Sequence, residues 1–318
     1  MRNVLLSLAT LILTAGPLAA ADTPAPVQTG PGHEFAACDY SAGKVLLVNQ
    51  KGEVTWEHPA KNTNDFWVLP NGNLLFTTGN GVLEVTREKK VVFRYESKSE
   101  IFACQRLPNG NTFVGECNAG RFVEVSPEGK VVKEVRLLPD GKDGGHGFMR
   151  NARALPNGNY LAAHYALGCV REYDPAGKVV MEIKAPGGPH SVMRLPDGNT
   201  LVAVSDRVKE KQADGTSVID AKVFEVDKEG KVVWELSNKD LPGAPLKFMA
   251  GLHRLANGNT VVSNWLGHGH LGKAPHVFEV TRDKKVVWTY SNHKDFKTVS
   301  SVIVLDGMGD CVKGEVNH

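Results

Sequence analysis

The sequence predicts an all-β protein, a six-bladed β-propeller in which each blade has four antiparallel strands. The first observation is a five-residue phrase, Leu-Pro-Asn-Gly-Asn, that returns with small changes along the chain. Its copies begin at Leu69, Leu107, Leu155, Leu195 and Leu255, with a shortened sixth copy at Leu305. Asn-Gly or Asp-Gly between apolar runs is the strongest short hairpin signal, and we expect positive φ at both residues, because both turn positions need it. A hairpin that returns after 38 to 60 residues indicates radially arranged sheets.

The second observation is the content of one repeat. Between two copies of the phrase the sequence predicts four short strands, over 101–107, 112–117, 121–126 and 131–137, joined by tight turns. The third strand recurs in other repeats as Val-Leu-Glu-Val, Val-Arg-Glu-Tyr or Val-Phe-Glu-Val, and the fourth begins with Val-Val and a bulky residue. We expect that bulky residue to pack between blades.

The third observation concerns the two ends of the repeat array. The stretch 34–59 supplies the second to fourth strands of a blade without a first strand. The stretch 300–305 supplies a first strand without the others. We therefore predict that the two stretches share one blade, which closes the ring and removes free sheet edges.

The N-terminus has the pattern of a secretory signal peptide over 1–21, with Arg2, an apolar run and a small-residue cleavage site. The run is short for a membrane span and contains Gly16 and Pro17, so we expect no span. Residues 22–32 are rich in Pro, Thr and Gly and predict a flexible lead-in. Residues 33–318 are then a single propeller domain, in a periplasmic or secreted protein.

The composition argues against several classes of function. The 37 basic and 35 acidic residues are nearly balanced, which gives no sign of a nucleic-acid surface. The five cysteines are widely spread and show no CxxC or CxxCH spacing, so neither a zinc knuckle nor a c-type haem is indicated.

The phrases "LPNGNT", "GKVVW" and "FEV" resemble secreted bacterial propellers of the quinoprotein-like and arylsulfotransferase-like superfamilies. The quinoprotein resemblance implies a quinone held over a vicinal cysteine pair; this chain has no adjacent cysteines, so we expect no quinone cofactor. The arylsulfotransferase resemblance implies a histidine nucleophile in a funnel of histidines and arginines. His253, just before Leu255, resembles the "H…LPNG" pattern of that family in one copy, and it joins the predicted ligand-binding residues.

Strand direction sorts the connections onto two faces. The hairpins and the Gly-Lys turns share one face, here called the hairpin face, and the irregular loops share the other, the loop face, where function is expected. Equivalent positions near the loop face are filled with different polar residues: Arg150 and His190 begin inner strands, and Glu116, His164 and Asn264 end second strands. We predict that these five line one mouth of the central channel and bind a ligand. The alternative is that they are polar strand ends that simply face water.

The histidines add a metal hypothesis. His164 and His190, covered by His268 and His270 from the loop after Trp265, could hold Zn²⁺ or another divalent metal through neutral imidazoles. Glu116 could then act as a general base.

Two functions remain open from the sequence. One is an exported propeller that binds a small molecule, a carbohydrate or a protein partner on its loop face. The other is an enzyme, a hydrolase, lyase or sulfotransferase-like protein acting on a carbohydrate or sulfate ester through the histidine-rich funnel. No GxSxG motif supports a serine hydrolase.

Overall fold

Six four-stranded antiparallel sheets form a ring, as predicted, in the computed structural model of the protein. The structure describes residues 25–205, 209–211, 217–219, 221–315 and 318, so the signal peptide predicted over 1–21 lies outside the described residues. In chain order the strands are β1 (Val27–Thr29), β2 (Phe35–Asp39), β3 (Lys44–Val48), β4 (Val54–Pro59), β5 (Phe66–Val68), β6 (Leu74–Thr77), β7 (Gly81–Val85), β8 (Val91–Glu96), β9 (Ile101–Arg106), β10 (Thr112–Glu116), β11 (Arg121–Val125), β12 (Val131–Arg136), β13 (Asn151–Ala154), β14 (Tyr160–His164), β15 (Cys169–Tyr173), β16 (Val179–Lys184), β17 (Pro189–Arg194), β18 (Thr200–Val204), β19 (Lys209–Lys211), β20 (Ser217–Ile219), β21 (Lys222–Val226), β22 (Val232–Leu236), β23 (Met249–Arg254), β24 (Thr260–Asn264), β25 (Val277–Val280), β26 (Val286–Ser291) and β27 (Val299–Val304).

The ring is closed by the first and last parts of the repeat array. Blade 1 has the order β27-β2-β3-β4, with Phe35 opposite Val304 and Ala37 opposite Val302. Blades 2, 3 and 4 are β5–β8, β9–β12 and β13–β16; blade 5 is β17, β18, β21 and β22; blade 6 is β23–β26. The predicted sharing of one blade by the two ends is confirmed. The inner strands, β27, β5, β9, β13, β17 and β23, surround the channel.

Four elements lie outside this scheme. β1 pairs with β26 as a fifth, outer strand of blade 6, so the stretch 22–32 predicted as a flexible lead-in contains ordered sheet at Val27–Thr29. β19 and β20 pair antiparallel as a separate two-stranded sheet and lie in sequence between the second and third strands of blade 5. A 3₁₀ helix follows β22 at Asn238–Asp240. In the described part of the chain, no helix has the length and apolarity needed to cross a membrane.

The repeated phrase forms its hairpin in a different way from the one expected. In blade 3, Gly110 N donates to Leu107 O at 3.0 Å, so Pro108 and Asn109 are the two central turn residues. Only the glycine has positive φ, +85° at Gly110. The prediction that Asn and Gly would both have positive φ was wrong: this is a turn with Pro in its favoured second position, followed by a left-handed glycine.

The phrase also fastens neighbouring blades together. Glu84 of β7 accepts hydrogen bonds from Asn73, the last residue of its own phrase, at 2.6 Å and from Arg106 of the next inner strand at 2.6 Å. Arg106 also donates to Gly110 O at 2.7 Å, which ties the ion pair to the next hairpin. We call this Asn–Glu–Arg arrangement the latch. It recurs with Asn159, Glu172 and Arg194, and with Asn199, Glu225 and Arg254.

Candidate functional site

Residues at or near the starts of the six inner strands converge at the loop face. Positions five residues before each phrase, which differ in chemistry from blade to blade, all line one cavity: Asn64, Phe102, Arg150, His190, Ala250 and Ser300. Trp265 forms part of the same wall. The enclosed volume is about 20 Å³, enough for one water molecule or one ligand oxygen. Arg150 and His190, two of the predicted site residues, therefore do meet at the channel mouth.

Arg150 brings a poorly compensated positive charge to this mouth. The residue is 8 % exposed, and its guanidinium lies over the rings of Phe102, at 4.5 Å, and Tyr165, at 5.1 Å. It donates to the carbonyl oxygen of His146, and within the described residues no carboxylate forms an ion pair with it. Burial lowers the pKa of Arg150 from its ordinary value. An anion is the partner that would offset this desolvated charge.

His190 supplies a neutral imidazole beside that charge. Its ring meets the rings of Tyr165 at 5.5 Å and Phe248 at 4.9 Å, both edge to face. Burial and the nearby guanidinium of Arg150 lower the pKa of His190 well below its ordinary value. At neutral pH the ring is therefore uncharged and has a basic nitrogen.

Aromatic rings surround the mouth beyond these two residues. The ring centroids of Phe248 and Trp265 are 5.0 Å apart. The centroid of the exposed His268 ring lies 5.3 Å from that of Phe248 and 5.1 Å from that of Trp265. We call Tyr165, Phe248, Trp265 and His268 the aromatic collar. It offers ring faces and edges on which a planar ligand group can stack.

The predicted residues at the ends of second strands do not line the mouth. His164 is fully buried: Nδ1 bonds Phe148 O at 2.7 Å and Nε2 bonds the Tyr173 hydroxyl at 2.8 Å. Because a carbonyl can only accept, Nδ1 carries the proton and Nε2 accepts from Tyr173. Burial lowers the pKa of His164 to about 4. Its role is to hold the 148 loop onto blade 4.

Glu116 and Asn264 are also structural. The carboxylate of Glu116 accepts from Tyr95 Oη at 2.6 Å and from Arg121 Nε at 2.5 Å, and it is fully buried. Asn264 accepts from Lys247 N at 2.9 Å and donates to Pro245 O at 3.0 Å. Both fasten loops or strands of their own region, so the prediction that they line the mouth was wrong.

The predicted metal set is not assembled. In the ranges that the structure describes, no three His, Cys, Asp or Glu side chains group in a way that could hold an ion. Both ring nitrogens of His164 are already hydrogen-bonded at blade 4, while the rings of His190 and His268 each pack against Phe248. His270 lies further along the loop and does not line the cavity.

His253 lies at the opposite end of the channel from the predicted site. It stands near the end of β23 on the hairpin face, 5 % exposed, and its Nδ1 accepts from Val304 N at 3.0 Å. There it lines a second pocket of about 720 Å³, which the sequence did not reveal.

A buried ion pair closes the channel between the two ends. Arg153 Nη1 and Nη2 donate to the two carboxylate oxygens of Asp65 at 2.7 and 2.9 Å. Arg153 also donates to His318 O at 2.8 Å, and the ring of His318 bonds Ser301 Oγ at 3.0 Å. The signal was present in the sequence, since Arg153 lies within an inner strand and Asp65 directly precedes another, but only the ring brings them together.

A family model matches part of the chain. The arylsulfotransferase (ASST) model matches residues 149–242, which include Arg150, His164 and His190. This confirms the resemblance to arylsulfotransferase-like propellers. No curated protein matches the sequence.

Solved structures support the fold. A protein of unknown function from Bacteroides caccae is 25% identical, with a TM-score of 0.74, and the match covers 85% of this chain and 98% of that one. A streptogramin B lyase is 12% identical, with a TM-score of 0.57 and coverage of 85% and 88%. The virginiamycin B lyase of Staphylococcus aureus, solved with quinupristin, is 15% identical, with a TM-score of 0.51 and coverage of 86% and 98%. The two lyases share the propeller architecture with this chain, and at these identities nothing more follows.

Proposed function

We propose that this protein is an exported propeller that binds a small aromatic anion at its loop-face mouth. The observation that supports it best is Arg150, a buried guanidinium between two aromatic rings that no described carboxylate pairs with. The anionic group would take the place of water beside Arg150, where a charge-assisted hydrogen bond is strong.

The size of the mouth determines how such a ligand would lie. About 20 Å³ of enclosed space admits one oxygen of a carboxylate or sulfate and excludes a ring. The ring would therefore rest outside, against the aromatic collar, with His190 beside the anionic group. Aromatic pairs of this kind add about 0.5–1.5 kcal/mol each.

The test compares 4-nitrobenzoate with the uncharged 4-nitrobenzamide by isothermal titration calorimetry. We expect wild-type protein to prefer the benzoate, and Arg150→Gln to weaken benzoate binding at least about 30-fold, as loss of a desolvated ion pair requires. The matched control is Arg171→Gln, because Arg171 pairs with Glu182 on outer strands away from the mouth. Equal affinity of wild type and Arg150→Gln for the benzoate would overturn the proposal.

A second function, sulfuryl transfer, is favoured by His190 together with the family match. The unprotonated nitrogen of His190 could attack the sulfur of an aryl sulfate, breaking the bond from sulfur to the aryl oxygen and releasing a phenolate, and a second phenol would then accept the sulfuryl group. Arg150 would stabilise the developing negative charge.

The readout is release of 4-nitrophenol from 4-nitrophenyl sulfate with phenol as acceptor. If this function holds, His190→Ala abolishes release while the affinity for 4-nitrobenzoate stays within about threefold of wild type. A wild-type protein that binds the aryl sulfate but releases no 4-nitrophenol is a binding protein only.

A further inference from the structure

The hairpin face carries a pocket that the loop-face function does not use. Its volume is about 720 Å³, within the roughly 300–1,000 Å³ range of small-molecule sites. The ends of β17 and β23 form its floor, and two copies of the repeated phrase, 195–197 and 255–258, form two sides. The chain after β27, from Asp306 to Gly309 with Gly314 and Glu315, forms the remaining wall.

The pocket exists because the ring closes with strands from opposite ends of the chain. In blades 2 to 6 the phrase turns the chain straight back into a second strand. In blade 1 the second strand is β2, from the N-terminal end, so the chain leaving β27 is free to run across the hairpin face. The sixth phrase, shortened to Leu305-Asp306-Gly307, begins that departure.

Most of the charged side chains that line the pocket already have partners. Arg194 and Arg254 donate through Nη2 to the latch glutamates, Glu172 and Glu225, and the Nε of each arginine is buried, out of reach of a ligand. Asp306 accepts from His33 at 2.8 Å, and Glu315 accepts from Asp310 N at 2.8 Å. These groups already form hydrogen bonds within the protein, so they offer few further hydrogen bonds to a ligand.

His253 differs from these groups, because its tautomer is fixed and one ring nitrogen does not take part in a hydrogen bond within the described residues. Nδ1 accepts the Val304 N–H at 3.0 Å, so the neutral ring carries its proton on Nε2. Nε2 has no hydrogen-bond partner in the part of the chain that the structure describes. Burial lowers the pKa of His253 to about 4, so the ring stays neutral and Nε2–H is a donor without a charge.

The rest of the lining is largely apolar. The apolar side chains that line the pocket with His253 include two methionines, whose flexible thioethers adapt to the shape of a ligand. They are Met193, Leu195, Pro196, Leu255, Val304 and Met308.

We propose that this hairpin-face pocket binds an uncharged, mainly apolar small molecule with a carbonyl oxygen that accepts from His253 Nε2–H. A charged ligand is disfavoured, because three carboxylates, Asp197, Asp306 and Glu315, line the same pocket as the two arginines. The site is distinct from the loop-face mouth, since the two cavities share no lining residue.

The probe is Nile red, an uncharged aromatic dye with a ring carbonyl whose fluorescence rises in apolar surroundings. We expect saturable binding to the full chain, and Ala256→Trp to weaken it at least about tenfold by filling the pocket from an exposed turn position. The matched control is Pro156→Trp, the same phrase position in blade 4, which does not line the pocket and should leave the affinity unchanged. Absence of saturable binding, or equal binding by wild type and Ala256→Trp, would overturn the site.

A second comparison tests the role of His253. His253→Phe should weaken Nile red about fivefold, the usual effect of one hydrogen bond. The same variant should bind the hydrocarbon diphenylhexatriene, which has no acceptor, as tightly as wild type does. If both probes weaken equally, the variant has damaged the pocket and the donor role of His253 is refuted; if neither weakens, the role is refuted as well.

Discussion

The two ends of the channel are made from the same six inner strands, yet they are filled by opposite rules. At the loop face the equivalent positions hold six different residues and leave only about 20 Å³ between them. At the hairpin face three of the blade junctions hold the same Asn, Glu and Arg of the latch, and a pocket of about 720 Å³ opens beside two of them. The repeated residues of the hairpin face therefore stabilise the ring, while the loop face holds a charge that has no described carboxylate partner.

The difference teaches where a repeat protein can specialise. A residue that is repeated in every blade usually fastens blades, and replacing it weakens the ring. A residue that occurs in only one blade, such as Arg150, is not needed to fasten blades and can bind a ligand. The hairpin-face pocket follows neither rule, because it comes from the single place where the repeat is interrupted by the chain ends.

The largest expected effect comes from removing the buried Arg153–Asp65 ion pair. Arg153→Met leaves Asp65 buried without its partner, and removing one member of a buried ion pair costs about 3–5 kcal/mol. Urea unfolding should show this loss of unfolding free energy. The double variant Arg153→Met with Asp65→Asn should recover part of it, and a single-variant loss below about 1 kcal/mol would mean that the pair does not support the ring.

The next effect concerns the latch. Glu225 accepts from Asn199 at 2.9 Å, from Arg254 at 2.9 Å and from Arg282, and it is 3 % exposed. Glu225→Gln should cost about 2 kcal/mol of unfolding free energy, because hydrogen bonds to charged groups contribute about 1.5–3 kcal/mol. The control is Glu235→Gln, because Glu235 is 44 % exposed and its ion pair with Lys222 should contribute no more than about 0.5 kcal/mol. Equal losses in the two variants would contradict the latch.

The fold could be predicted almost completely from the sequence, since the repeated phrase and the two incomplete ends determine blade number and ring closure. The latch was missed although its signal was present: Arg106, Arg194 and Arg254 each stand directly before a phrase. Considered as a hairpin alone, the phrase does not explain why those arginines recur. Their partners lie on the preceding blade, which only the ring brings close.

The candidate site could be predicted only in part. Residues that begin inner strands were placed correctly, because strand direction alone brings Arg150 and His190 to the mouth. Residues that end second strands were placed wrongly, because the side chain at a strand end can point between blades, as His164 does. The path of the chain after β27 follows no repeat, so the second pocket could not be predicted.

A smaller effect distinguishes the two ends by the sign of their pH dependence. On the hairpin face, hydrogen bonds to Glu279 and Asp306 raise the pKa of His33. A raised pKa adds stability below the unfolded-state pKa of about 6.5, and this is lost as pH rises through the folded value. Wild type should therefore exceed His33→Gln in unfolding free energy by under about 1 kcal/mol at pH 5.5, and by less at pH 8.

At the mouth the sign is reversed. Burial and Arg150 lower the pKa of His190, so below about pH 6.5 the unfolded chain takes up a proton that the folded protein does not. The advantage of wild type over His190→Gln should therefore shrink as pH falls from 8 to 5.5, by at most about 1.4 kcal/mol per pH unit. Urea unfolding at both pH values checks the two variants together, and slopes of the same sign would contradict the contrast.

The smallest expected effect on stability is at Arg150, and it is the sharpest test of the comparison. Its guanidinium is desolvated and has no described carboxylate partner, so folding bears a cost that only a ligand would offset. Arg150→Met keeps the aliphatic length and the contact with Phe102 and Tyr165 but removes the charge. Its unfolding free energy should equal or exceed that of wild type, within about 1 kcal/mol, whereas 4-nitrobenzoate binding is lost. A loss of several kcal/mol would mean that Arg150 is a fastening residue like Arg153, and that the irregular end of the channel serves the fold as the regular end does.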